Sequence, residues 1–401
     1  MGTLFDAAHA HDAACIMRTY ARKPVMFVRG DGMRLYDDDG AEYLDFVSGI
    51  GAVNLGHAHP AVTAAVAEQA AKLVHVSNLY YVEHRAELAC DLVRLLGGGM
   101  RVFFANSGAE ANEGAIKLAR KWASTAKPGA YKVVSTLRSF HGRTLATLAA
   151  NGQPGKSQAF EPLPQGFVHV PLNDIEALES ALDETVAAFL VEIVQGEGGV
   201  WPARDEYLRA AEALCREHGV LLMIDEVQTG FFRTGPAFAH QAHGLTPDVV
   251  TLAKSMANGL PMGALVAREE VAAAFEPGDH GSTFGGGPVV CAAGRATVAA
   301  LQAENLGARA TLAGEYLRKA LLELAQRTGA ISDVRGVGLM VGCSLASPVA
   351  VQVAASLLGR KVVVNHIGAD ILRFLPPLVC GTAEIDTLLA TLEDAFKEVA
   401  Q

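Results

Sequence analysis

Three short segments carry side chains whose types and spacing could share one piece of chemistry. In DVVTLAK (248–254) an apolar run ends on Lys254. Burial disfavours its ammonium form and leaves the neutral amine that addition to a carbonyl requires. A lysine snorkelling at a strand terminus also accounts for the segment. In VLLMIDEV (220–227) an apolar strand ends in two carboxylates. The first, Asp225, could hold a heteroaromatic ring nitrogen protonated, because the ion pair stabilises the charged ring. A solvated strand end is the plain alternative. In FANSGAEAN (104–112) small residues at a strand-to-helix junction leave backbone N–H groups unblocked at the positive end of a helix dipole. Such a turn suits a phosphate. It also reads as an ordinary helix start, with Ser107 as cap and Glu110 completing a capping box.

Together the three say more than any one alone. A phosphate cradle at Ser107, Gly108 and Ala109, a ring-nitrogen acid at Asp225 and a carbonyl-reactive amine at Lys254 are the parts a pyridoxal 5′-phosphate site needs. Phe140 and His141 follow another strand-like run, where an aromatic ring could stack on a flat cofactor. Simple core packing serves equally for Phe140.

These side chains need a scaffold that brings strand ends together. Before Asn54, the runs PVMFVRG, MRLYDDDG and YLDFVSG read as short strands between Gly and Asp turns. Helical patterns follow over 61–73 and 83–96, the second ending at Gly97–Gly99. Strands and helices then alternate: strands at 101–106, 131–136, 189–194, 220–227 and 248–254, with helices at 110–126 and 205–218 among them. Continuous Val, Ile and Leu runs alternating with helices predict an α/β fold with a mostly parallel sheet covered on both faces. Ligands in such sheets bind at the carboxyl ends of the strands. From about Pro288 the texture changes. Helices over 289–302, 308–327 and 383–399 flank strands near GLMVGCSL, KVVVN and ILRFLPP. This predicts a large domain over 55–287 and a smaller α+β domain built from 1–54 and 288–401.

Composition narrows the function classes. The chain is 50% hydrophobic and 19% charged, enough for a large core, with a net charge of -10. Without clustered Lys and Arg, binding of a nucleic-acid backbone is not expected. Met1 to His11 does not read as a signal peptide, and no long uncharged apolar run indicates a membrane span. The six cysteines are scattered without a CxxC pair, which points to free thiols in the cytoplasm rather than disulfides or a zinc site. His57 and His59 in GHAHP are the nearest thing to a metal pair and read as loop residues before a helix; no metal is expected.

The segments NSGAEANEGAIKLAR, SFHGRT, VEIVQGEGGV, IDEVQTG, TLAKS and HGSTFGGGP resemble the class III, fold type I aminotransferases from about Arg18 to the C-terminus. TYARKPVMFVRGDG, LGHAHPAV, HVSNLYY and RFLPPLV look most like the bacterial acetylornithine branch of arginine biosynthesis. The resemblance implies roles. Lys254 is the Schiff-base lysine and proton shuttle. Ser107, Gly108 and Ala109 bind the phosphate, which Thr283 reaches from a partner subunit, with Ser282 nearby on the substrate side. Phe140 stacks on the ring with His141 beside it, Asp225 pairs with the ring nitrogen, and Val227 and Gln228 line the ring face and its 3-oxygen. Arg143 binds a substrate carboxylate, Arg373 takes the α-carboxylate of glutamate, Glu197 shields Arg373 when an ω-amine enters, and Tyr20 touches the substrate tail. The implied substrates are N-acetylornithine and 2-oxoglutarate or glutamate, in a homodimer with shared active sites.

Some positions depart from that pattern. Ile50 stands where ornithine-specific enzymes carry tyrosine. Ile193 replaces a proline, Ala257-Asn258 replace two glycines, Phe232 replaces a glycine, and Gly287 replaces an asparagine. None removes a catalytic group. They bear on the amine donor, for which succinylornithine, N-succinyl-diaminopimelate, ornithine and 4-aminobutyrate are the alternatives. A nucleotide-binding oxidoreductase has only Gly336-x-Gly338 in its favour, which opens no βαβ unit. A purely structural role has no need of Lys254, Asp225 and Arg143 together.

Overall fold

The structure is a computed structural model and describes residues 3–399. Its centre is a seven-stranded sheet in the spatial order Met100–Ala105, Gly263–Arg268, Val249–Leu252, Leu221–Asp225, Val186–Glu192, Lys132–Thr136 and Phe167–Val170. Only Gly263–Arg268 runs antiparallel to its neighbours. Every residue of Val186–Glu192 and Leu221–Asp225 is buried, as a sheet covered on both faces requires. The mostly parallel α/β fold predicted from the apolar runs is therefore present. Two of its strands, Gly263–Arg268 and Phe167–Val170, lie outside the runs singled out from sequence.

The helix Gly108–Ala126 packs on this sheet through a small-residue face, with Ala111, Gly114, Ala115, Ala119 and Ala123 all buried. That close approach sets the height of its N-terminus above the strand ends. A two-stranded pair, Val194–Gln195 with Trp201–Pro202, and two four-stranded sheets accompany the central sheet. One joins Phe27–Asp31, Arg34–Asp37 and Glu42–Asp45 to Val362–Val363 from the far end of the chain, through a parallel pairing with Glu42–Asp45. The other pairs Ile331–Val337, Met340–Leu345, Ile371–Phe374 and Asn365–Ile367 antiparallel. The Gly336-x-Gly338 pair lies at its tight hairpin, where Val337 faces Met340, and opens no helix.

The N-terminal segment forms a helix, Thr3–Cys15, while Met1 and Gly2 lie outside the described residues. None of the described helices is long and apolar enough to cross a membrane. His57 pairs with Asp45 at 2.8 Å and His59 with Glu304 at 2.9 Å.

Candidate functional site

A cavity of about 390 Å³ opens at the carboxyl edge of the central sheet, and Lys254, Asp225 and the Ser107–Ala109 turn all line it. Sheet register explains the convergence. Asp225 is the last residue of its strand and lies opposite Thr251 on one side and Glu192 on the other. Lys254 follows two residues after the end of Val249–Leu252.

Ser107 caps the helix, its Oγ accepting the Glu110 N–H at 3.2 Å. The Glu110 carboxylate reaches past the cap to the Asn106 N–H at 2.5 Å, so the expected capping box closes one residue early. The Gly108 and Ala109 N–H groups are among the first of the helix and so lack an intrahelical partner, and both residues line the cavity. A Cβ on Gly108 would sit 2.8 Å from Val227 Cγ1, so a larger residue would displace Val227 or lift this turn. The plain N-cap is therefore present, at a turn that lines the cavity.

Asp225 is held from three sides. Its Oδ2 accepts from Asn112 Nδ2 and pairs with His141 Nδ1, both at 2.8 Å, and its Oδ1 accepts the Val227 N–H at 2.9 Å. Asn112 is fixed in turn by Thr251 Oγ1, which donates to its Oδ1 at 2.7 Å. His141 is buried, and its Nε2 has no partner among the described residues. The neighbouring Glu226 turns away from the cavity. It accepts the Ala239 and His240 N–H groups and pairs with His240 Nδ1. Choosing the first of the two carboxylates therefore selects the one that faces the site.

Lys254 adopts a left-handed backbone, φ 48°. Non-glycine residues pay for this conformation, and it recurs where a side chain must be aimed. Burial lowers its ammonium to about 8, opposed by Glu197 and assisted by Arg373. Four residues on, Asn258 also sits left-handed at φ 46°. Its Oδ1 accepts the Leu55 N–H and its Nδ2 donates to Gly56 O, each at 3.0 Å. The asparagine thus fills a position suited to glycine and ties the lysine turn to the 55–56 loop. Phe232, at φ 67°, is likewise left-handed where the resemblance expects glycine.

Gln228 is buried, and both polar atoms of its amide lack a partner among the described residues. Gly196 packs so close that a Cβ there would run into Gln228 Oε1. Phe140 lines the cavity with Arg143, whose guanidinium lies 5.4 Å from the ring centre and forms no ion pair among the described residues. Arg373 is buried and sits behind Glu197, its Nη1 2.5 Å from Glu197 Oε1. Asn365 Oδ1 and Gly196 O accept its remaining donors. Burial would raise the Glu197 carboxyl, but Arg373 and Lys254 outweigh that and hold it below the usual range.

Three sequence-predicted residues lie elsewhere in the single chain. Tyr20 lines a separate cavity between the N-terminal helix and Val25–Phe27. Ser282 and Thr283 line a third, on the outer side of Asn106, where Asn106 Nδ2 donates to Ser282 Oγ at 3.1 Å. Conversely, the sequence reading passed over Glu192 and Asn112. Glu192 ends its strand beside Asp225 and accepts the Phe140 N–H at 2.9 Å and the Gly196 N–H at 3.1 Å. Its place there comes from the register with Asp225, which the run FLVEIV does not announce. Asn112 stands one helical turn after Gly108, on the same face.

The class-III aminotransferase family model matches residues 16–396. An acetylornithine aminotransferase of Caldanaerobacter subterraneus is 46% identical over 96% of this chain and 98% of its own length. One of Gloeobacter violaceus is 47% identical over 95% of each. Among solved structures, an ornithine aminotransferase from Toxoplasma gondii superposes with a TM-score of 0.95 at 34% identity, covering 100% of this chain and 96% of that one. An acetylornithine aminotransferase from Elizabethkingia anophelis gives 0.88 at 33%, covering 98% and 99%. With the lysine, the buried acid and the open helix turn meeting at one sheet edge, and a family match running over nearly the full length, the chain belongs to the class-III aminotransferases, enzymes that work with pyridoxal 5′-phosphate.

Proposed function

We propose that the protein transfers the ω-amino group of N2-acetylornithine to 2-oxoglutarate, giving N-acetylglutamate 5-semialdehyde and glutamate. The observation that carries this reading is the Glu197–Arg373 ion pair, which leaves Arg143 as the guanidinium that lines the cavity with no ion pair among the described residues. An ω-amine with a distant carboxylate meets Arg143 while Arg373 stays masked; glutamate, with a second carboxylate next to its amine, calls Arg373 out. Relatives named acetylornithine aminotransferases at 44–47% identity support the choice of amine.

The residues fit the cofactor. The free Gly108 and Ala109 N–H groups, with the Ser107 hydroxyl, suit its phosphate. Asp225, held in place by Asn112, His141 and the Val227 N–H, suits the protonated ring nitrogen, and the orphaned Gln228 amide suits the ring oxygen. Phe140 and Val227 offer apolar faces to the ring. When bound, pyridoxal 5′-phosphate supplies an aldehyde that takes up amino groups and a ring that accepts the electrons released beside the nitrogen. The chain does the rest. Lys254 Nζ, near 8, is neutral often enough to take a proton from the substrate carbon and acidic enough to return it. Arg143 fixes the substrate carboxylate by two parallel hydrogen bonds.

The working form on this reading is a cytoplasmic homodimer. Leu79, Tyr81 and Phe284 are 85%, 104% and 65% exposed in the single chain, an apolar patch of the kind that marks a contact surface. Asn78 Nδ2 ties its two halves together through Ser282 O and Gly285 O. Thr283 lies within it, available to a partner's phosphate site. Steady-state rates with 2-oxoglutarate over acetylornithine, succinylornithine, N-succinyl-diaminopimelate, ornithine and 4-aminobutyrate test the assignment. Acetylornithine is expected to lead. A large excess for 4-aminobutyrate or ornithine overturns it.

A further inference from the structure

Glu197 cannot leave Arg373 without somewhere to go. Resting on the two-substrate reading above, we infer that Lys156 is the parking partner that receives the Glu197 carboxylate when glutamate or 2-oxoglutarate claims Arg373.

The geometry places Lys156 beside the gate and outside the substrate path. It sits on the short helix Pro154–Ser157, half-buried, with its Nζ 5.5 Å from the centre of the Phe140 ring. Its turn is pinned to the Phe140 loop: Gln153 Nε2 donates to Ser139 O at 2.8 Å and Arg138 N to Gly152 O at 2.7 Å. Phe140 and the gate loop share one carboxylate, since the two oxygens of Glu192 accept the Phe140 and Gly196 N–H groups respectively. Gly198 of the gate loop packs on Arg138, a Cβ there lying 2.6 Å from Arg138 O, so the turn that carries Lys156 adjoins the loop that carries Glu197. Lys156 forms no ion pair among the described residues, whereas Arg373 is already matched. Glu197 lines the cavity and Lys156 does not. A substrate thus meets Glu197 first, and Lys156 acts on the substrate only through it.

The electrostatics run the same way. Burial lowers the Lys156 ammonium, and Glu197 is the largest opposing influence, ahead of the repulsion from Arg143 and Arg373. Lys156 in turn is among the charges that hold Glu197 down. With Arg373 engaged by a substrate carboxylate, Glu197 would otherwise be a buried, unpaired anion, which is costly. A waiting ammonium removes most of that cost.

Lys156 is on this account a positioning residue, and its signature is selective. The holoenzyme is used, with each half-reaction followed in a single turnover, and the dissociation constant of glutarate measured by calorimetry. Lys156→Met should slow the glutamate half-reaction and weaken glutarate by about tenfold each, while the acetylornithine half-reaction changes by less than about twofold. Lys156→Arg should restore both. In a Glu197→Gln background, where no carboxylate needs a new partner, Lys156→Met should add nothing, because coupled residues are non-additive. Equal slowing of both half-reactions means Lys156 grips the shared substrate carboxylate and overturns the proposal, as does an undiminished effect in Glu197→Gln. If Glu197→Gln alone leaves the ratio of the two half-reactions unchanged, the gate reading fails first, and that result is told apart by needing no Lys156 variant.

Discussion

Glu192 and Asp225 end adjacent parallel strands as direct register partners, yet their carboxyls answer to different donors. Asp225 takes two side chains and one backbone N–H, whereas Glu192 takes only the backbone N–H groups of Phe140 and Gly196. Two carboxylates side by side in a dry site push their protonation apart. Burial raises Glu192 to about 7, with His141 opposing and Asp225 adding to the rise.

The consequence is a pH signature. Between the ordinary value of 4.5 and about 7, the folded apoprotein holds a proton on Glu192 that the unfolded chain has released. Where the folded state binds more protons, stability falls as pH rises. The wild type should therefore lose stability relative to Glu192→Gln as pH climbs through that window, and the difference should level off above it. Paired thermal melts at stepped pH check this. A difference that stays constant across the window would mean Glu192 is ionised throughout.

Asn112 makes a second test of the same network. Its amide donates to Asp225 and to His141 O and accepts from Thr251. Asn112→Ala leaves these buried groups short of partners, at about 1–3 kcal/mol. Asn112→Asp should be worse, since it sets a like charge against Asp225. Melting temperature and the pyridoxal phosphate dissociation constant should both move, in that order of severity. A change in melting alone would confine Asn112 to packing.

What the sequence disclosed, and what it withheld, follows from where each residue gets its meaning. Lys254, Asp225 and the Ser107 turn were legible because apolar runs announce strands, and strand ends in a parallel sheet share an edge. Glu192 was hidden inside the run FLVEIV. Its position at the edge depends on a register with Leu221–Asp225 that no local pattern encodes. The strand Gly263–Arg268 was missed because its antiparallel insertion between Met100–Ala105 and Val249–Leu252 departs from simple alternation. Arg373 and Glu197, 176 positions apart, were paired by the resemblance alone, because no local pattern links residues so distant. Tyr20 and Thr283 sit away from the cavity in one chain. A role for either at the site depends on a surface another copy would cover.

On the proposed reading, a change at Gly108 should separate phosphate binding from ring binding. A Cβ there meets Val227 at 2.8 Å, so Gly108→Ala must lift the helix start or displace Val227. Either change disturbs the seat of a phosphate at the first N–H groups of the helix. Affinity for pyridoxal phosphate should fall at least about tenfold, the worth of roughly 1.4 kcal/mol. Pyridoxal, which lacks the phosphate, should lose much less. Equilibrium titrations of the apoprotein with both compounds decide it. Equal losses would place the damage at the ring rather than the phosphate.

The charge around Lys254 should be readable in its reactivity. Only the neutral amine adds to a carbonyl, so trapping of the apoprotein by pyridoxal and borohydride should rise with pH and level off past about 8, where an ordinary lysine would climb on towards 10.5. Burial sets this midpoint, but two neighbours pull on it in opposite senses. Glu197 favours the ammonium and Arg373 disfavours it. Glu197→Gln should therefore move the midpoint down, and Arg373→Met should move it up. The pair of shifts is diagnostic, because general loosening of the pocket would admit water and raise the midpoint in both variants. Two upward shifts would mean that burial alone governs the lysine, and that the Glu197–Arg373 pair acts on substrate without reaching the amine.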